Sequence, residues 1–119
     1  MDNSFNNRRK HLRIYRNFIM TYCEKGKNVA SHDVSQVNNV SKGGLNFSST
    51  HALKEGMILS IDLKTPFIAD SMRLEGLVLA CREKIPEMIY EIRLEFQAVP
   101  AKALTVLEKI ENYSKLKEG

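Results

Sequence analysis

The chain has 119 residues, of which 43% are hydrophobic and 27% charged, with a formal net charge of +4. Such a composition suits one soluble globular domain with a modest core, and no stretch approaches the roughly 20 apolar residues of a membrane helix. The basic excess favours an anionic partner without naming one.

The first seven residues, MDNSFNN, are polar and contain no apolar h-region, so no secretory signal is read there and a cytoplasmic location is expected. They read as a flexible tail, 1–7. RRKHLR follows at 8–13, with three arginines, a lysine and a histidine in six positions and no apolar stripe, which reads as a basic arm. IYRNFIMTYC, 14–23, is rich in β-branched and aromatic residues and predicts a strand. EKGKN is a turn with Gly26 free to take positive φ. VASHDVSQVNNVS alternates weakly and predicts a second strand, and KGGLNFSS places a Gly-Gly break before a short third one.

KEG, ending at Gly56, is the next turn. In MILSIDL, Met57, Leu59, Ile61 and Leu63 share one face and Ser60 and Asp62 the other; Pro66 ends the run. MRLEGLVLACREK predicts a long strand, apolar on both faces around Leu77 to Cys81. After a turn at Pro86, MIYEIRLEFQ has the clearest alternation. Met88, Tyr90, Ile92, Leu94 and Phe96 point one way; Glu91, Arg93, Glu95 and Gln97 point to solvent. Beyond Pro100, which suits a first helical turn, the period changes. Ala103, Leu107, Ile110 and Ser114 form one stripe flanked by Val106 and Tyr113. Short antiparallel strands must close or be covered to hide their edges. The expected fold is therefore a compact β-barrel over about 14–98 with a helix over about 100–117 packed on it, in one domain spanning 8–119 without repeat or internal linker.

Little here suggests catalysis. Cys23 and Cys81 have no Cys-x-x-Cys spacing and read as reduced, buried residues. His11, His32 and His51 show no mutual metal-ligand spacing, and no nucleophile–base constellation stands out, so neither an enzyme nor a metal site is expected. Two stretches carry other chemistry. In RRKHLR, Arg9 and Arg13 stand four apart with Arg8 before them, and guanidinium groups bind phosphate oxygens and the O6/N7 edge of guanine bidentately. In NNVSKGGLNF, Asn39, Ser41 and Gly44 follow Asn-x-Ser-x-x-Gly. The Asn amide and Ser hydroxyl can read the polar edge of a base, and Gly44 lets backbone or ligand approach closely. Each stretch alone also fits a blander reading, a solvated tail and a polar turn.

Together the motifs are more specific. Arg-x-x-x-Arg on an amino-terminal arm, followed after one hairpin by Asn-x-Ser-x-x-Gly, resembles the PilZ family, whose members bind cyclic diguanylate (cyclic di-GMP). VNNVSKGGLNFSS looks like that family's signature loop and strand, and EGLVLACREKIPEMIYEIRLEF like its later hairpin. The resemblance implies a six-stranded antiparallel β-barrel with a carboxy-terminal α-helix. It implies nucleotide contacts from Arg8, Arg9 and Arg13 on the arm and from Asn39, Ser41, Gly43 and Gly44 on the loop, with up to two ligands per chain and no separate cofactor. It further implies a signal relayed to an effector protein that the sequence does not name, in motility, biofilm or virulence control. Two other readings stay open at this point. One is a PilZ-like interaction module with little nucleotide affinity. The other is a barrel for single-stranded nucleic acid, ranked last because that class uses exposed aromatic platforms, whereas Tyr90 and Phe96 fall on inward strand positions and there is no Trp.

Overall fold

The structure is a computed structural model; it describes residues 17–27, 30–34 and 36–118, with side chains as far as residue 113. Strands β1 (Ile19–Glu24), β2 (His32–Asp33), β3 (Gln36–Val40), β4 (Gly44–Ser49), β5 (Ile58–Lys64), β6 (Met72–Ile85) and β7 (Ile89–Gln97) precede helix α1 (Ala101–Glu118). Among the described residues these seven strands form one antiparallel sheet in the order β2-β1-β5-β6-β7-β4-β3.

Period-2 alternation decides which face each strand buries. In β5 Leu59, Ile61 and Leu63 are buried while Ser60 and Asp62 stay half-exposed, and in β7 Ile92, Leu94 and Phe96 are buried between exposed Arg93 and Glu95. The sheet curls so that these faces meet. β1 and β4 are not neighbours in the strand order, yet the rings of Tyr22 and Phe47 lie 5.5 Å apart inside the curl. Helix α1 adds Ala103, Val106, Leu107 and Ile110 to the same core. Pro100 sits just outside the helix, its carbonyl accepting from the Leu104 N–H at 2.9 Å. Tyr113 packs edge-on against Phe67 at 5.7 Å, and Phe67 against Phe18 at 6.4 Å, which ties the helix to the start of β1.

Three expectations need correction. The sheet is a seven-stranded curled half-barrel rather than a six-stranded closed barrel. The cause is the 30–40 segment, where Asp, Ser and Asn disfavour a continuous strand. It splits into the two-residue β2, which pairs only with β1, and β3, which pairs with β4. Met88 does not share the inward face of β7; it lies in the β6–β7 turn, 62% exposed, beside Glu87 at φ 60°. Cys23 and Cys81 are free but half-buried rather than buried. The fold also brings together His32 and His51, distant in sequence, with ring centroids 4.5 Å apart, because β2 and the turn after β4 converge.

Tyr22 is buried, and its hydroxyl shares a 3.1 Å hydrogen bond with Ser49, also buried, whose oxygen accepts from the His51 N–H at 3.1 Å. Burial pushes the Tyr22 phenol above its ordinary value and nearby Cys81 adds to the rise, while the Ser49 hydrogen bond opposes it. A raised phenol pKa gives stability that is whole below about pH 10 and lost as pH climbs through the folded value. Tyr22→Phe should therefore cost about 1 kcal/mol at neutral pH. That cost should shrink above pH 10, as urea melts of both proteins at pH 7 and pH 10.5 would show.

Candidate functional site

The β3–β4 turn is built from the second motif. A bulge between Val37 and Asn39 lets two adjacent asparagines serve different ends. Asn38 belongs to the sheet: its amide N–H groups donate to Asn46 Oδ1 at 2.7 Å and Ser48 Oγ at 3.1 Å, and its Oδ1 accepts from Gln36 at 3.1 Å. Asn39 is exposed, and its side chain makes no hydrogen bond among the described residues.

Ser41 holds the turn together. Its N–H donates to the Gly44 carbonyl at 2.9 Å, and its hydroxyl lies 3.4 Å from the same oxygen while accepting from the Gly43 N–H at 3.3 Å. The neighbouring Lys42 N–H donates to Glu111 of α1 at 2.9 Å, and the Gly43 carbonyl accepts from Phe96 of β7 at 2.9 Å. Helix and sheet thus clamp the loop from both sides. Gly44 has a backbone reason to be glycine. A Cβ there would collide with the Leu94 carbonyl oxygen and stand only 3.1 Å from the Leu94 carbonyl carbon, so β4 could not reach β7. Gly43 faces open space, with Ser41 Oγ at 4.0 Å the nearest atom to an added Cβ.

This turn borders an open recess of about 520 Å³ on the outer face of the sheet, within the size range of small-molecule sites. Asn39, Ser41, Gly43 and Gly44 line one side; Arg93, Glu95 and Leu79 line the other, with Asn46 between. Strand register explains the grouping. Asn39 pairs with Asn46, Asn46 with Arg93, and Gly44 with Glu95, so residues from three strands share one patch. Arg93 makes no ion pair among the described residues, and the carboxylate of Glu91, two positions before it, is held by Arg82 at 2.5 Å. The Asn39-to-Gly44 motif therefore lies on one wall of a recess that also presents a guanidinium with no ion-pair partner among the described residues.

Arg8, Arg9 and Arg13 lie outside the described residues. The sequence reading did not single out Arg93, Glu95, Asn46 or Leu79. The alternation of β7 already put Arg93 and Glu95 on the outer face; only the strand register brought them to the motif. Leu79 had the same kind of signal, hidden in an apolar run. It stands on the outward alternation of β6 with Arg73, Glu75 and Leu77, 41% exposed, at the point where the β6–β7 register shifts between Val78 and Ala80. Among the described residues no three His, Cys, Asp or Glu side chains converge as metal ligands, and no helix is long and apolar enough to cross a membrane.

Comparison with known proteins adds two findings. The PilZ domain family model matches residues 7–114, a span containing Arg8, Arg9 and Arg13 as well as the turn just described. Six solved chains match. Among them is the Bacillus subtilis inhibitor of motility, MotI/DgrA, at TM-score 0.63 and 13% identity, covering 85% of this chain but only 46% of that one. At such identity the likeness is one of fold. A search of curated proteins gives no match.

Proposed function

The chain belongs to the PilZ domain family, and from that premise we propose that it is a cyclic diguanylate receptor that relays the messenger's level to a partner protein. The observation that carries the reading is the placement of Asn39, Ser41, Gly43 and Gly44 on the wall of one open recess, in a chain whose family match also spans Arg9 and Arg13. The ligand's phosphates and guanines call for guanidinium forks and amide edges. Arg9 and Arg13 take phosphates and guanine O6/N7, while the Asn39 amide holds a guanine edge against the sheet. Ser41 acts chiefly by keeping the turn in shape. About 8 kcal/mol suffices for micromolar affinity; two or three charge-assisted bonds at roughly 1.5–3 kcal/mol each, with stacking, reach it after the cost of association.

The bound ligand changes the surface around the recess, and that change is what a partner reads. The name of the structural neighbour points to motility as the first process to examine, with biofilm and virulence control beside it. The role is that of a receptor and adaptor rather than an enzyme, acting in the cytoplasm where the messenger is made. Calorimetry with cyclic diguanylate, then with GTP and a short oligonucleotide, tests the reading. Saturable binding of the first alone supports it; silence with the first leaves a protein-interaction module.

The same titration reads stoichiometry. Two stacked ligands bring four phosphate charges together, and counterions screen only over about 8–10 Å at ordinary ionic strength, so fixed cations must offset the repulsion. Arg8, Arg9 and Arg13 supply three. The expected result is two ligands per chain for the unmodified protein and one for Arg8→Leu, and a ratio of one in the unmodified protein refutes it.

A further inference from the structure

Arg93 and Glu95 lie outside both motifs, yet they form the β7 side of the recess. They are two residues apart on one strand and therefore project from the same face, about 6.6 Å apart along it. Arg93 has no carboxylate partner among the described residues. Glu95 is exposed, and its polar contacts are long ones from its own strand, the Gln97 amide at 3.5 Å from Oε1 and 3.4 Å from the main-chain oxygen.

A carboxylate is out of place in a site that serves only phosphates, because it repels them. It is in place beside a guanine. Guanine presents O6 and N7 as acceptors on one edge, which a guanidinium fork matches, and N1–H and the N2 amino group as donors on the next, which an ionised carboxylate accepts in pairs. Adenine has an N6 amino donor where guanine has O6, an N1 acceptor where guanine has N1–H, and no N2 amino group, so it offers the guanidinium only N7 and denies the carboxylate its paired donors. Resting on the reading above, the geometry points to Arg93 and Glu95 as the residues that select guanine over adenine, Arg93 bonding O6/N7 and Glu95 bonding N1–H and N2–H. Asn39, two strands away across Asn46, meets the same base from its other flank.

The two residues should leave different signatures. Arg93→Ala removes a cation as well as a base contact, so cyclic diguanylate binding weakens roughly ten- to hundredfold. Glu95→Gln removes a negative charge and one acceptor. Cyclic diguanylate binding therefore falls while cyclic diadenylate binding holds or rises, and the guanine-to-adenine ratio drops at least tenfold. Both side chains are exposed, so melting temperatures of the variants within a few degrees of the parent confirm that they fold. The experiment is calorimetry of the unmodified chain, Arg93→Ala and Glu95→Gln with cyclic diguanylate and cyclic diadenylate, two ligands differing only in the base. A lowered ratio in Glu95→Gln with weakened binding in Arg93→Ala supports the assignment. Binding of cyclic diguanylate with its preference intact in both variants overturns this inference alone, and absence of binding by the unmodified chain overturns it together with the receptor reading.

Discussion

Gly44→Ala should cost the protein about 3 kcal/mol, near the top of the range for forcing a methyl into packed structure. At this chain length that corresponds to a fall of roughly 12 °C in melting temperature. The added Cβ would meet backbone, the Leu94 carbonyl and Glu95 Cα at 3.3 Å, which cannot rotate aside as a side chain could. The strain falls on the pairing of β4 with β7, and β4 carries the fully buried Phe47. Gly43→Ala is the control. Its Cβ enters open space, so stability should stay within about 0.5 kcal/mol. Thermal melts of the two variants without ligand decide the matter; equal melting temperatures would show that Gly44 serves only ligand access.

Arg9→Ala and Arg13→Ala should each weaken cyclic diguanylate binding roughly ten- to a hundredfold, since each removes a charge-assisted contact of about 1.5–3 kcal/mol. Neither should move the melting temperature without ligand, because RRKHLR has no apolar stripe to add to a core. Ser41→Ala should do the reverse. Its hydroxyl bonds within the turn, so the change costs about 1 kcal/mol of stability and weakens binding less than either arginine change. Calorimetry beside thermal melts separates the two patterns. Normal binding by Arg13→Ala, or an unfolded apo protein, would remove the arm from the proposed site.

Pairing the two experiments separates what a motif residue does for the fold from what it does for a ligand. Asn-x-Ser-x-x-Gly reads in sequence as a set of ligand groups. In the folded chain Gly44 and Ser41 are engaged by neighbouring backbone and by their own turn, and Asn39 alone of the three presents an uncommitted polar side chain. Sequence spacing cannot show this division, because the atoms that occupy Gly44 and Ser41 include Leu94, which lies fifty residues from Gly44.

Local rules were enough for the elements. Alternation marked the inward faces of β5 and β7, Gly26 and Gly56 took positive φ at their turns, and the change of period after Pro100 marked α1, because each depends on residues within a few positions of one another. The two motifs, and the family they indicated, were likewise legible as short spacings. What needed the tertiary structure was everything set by register or by irregularity. The splitting of 30–40 into two strands left the barrel unclosed, a bulge shifted the register of β6 on β7 at Leu79, and antiparallel pairing carried Arg93 and Glu95 to the Asn39–Gly44 turn. A strand's own alternation names the face a residue occupies but not its neighbours across the ladder, and one bulged residue reverses that face for all that follow. The wall of the recess that carries a fixed cation and a carboxylate was therefore decided by the fold.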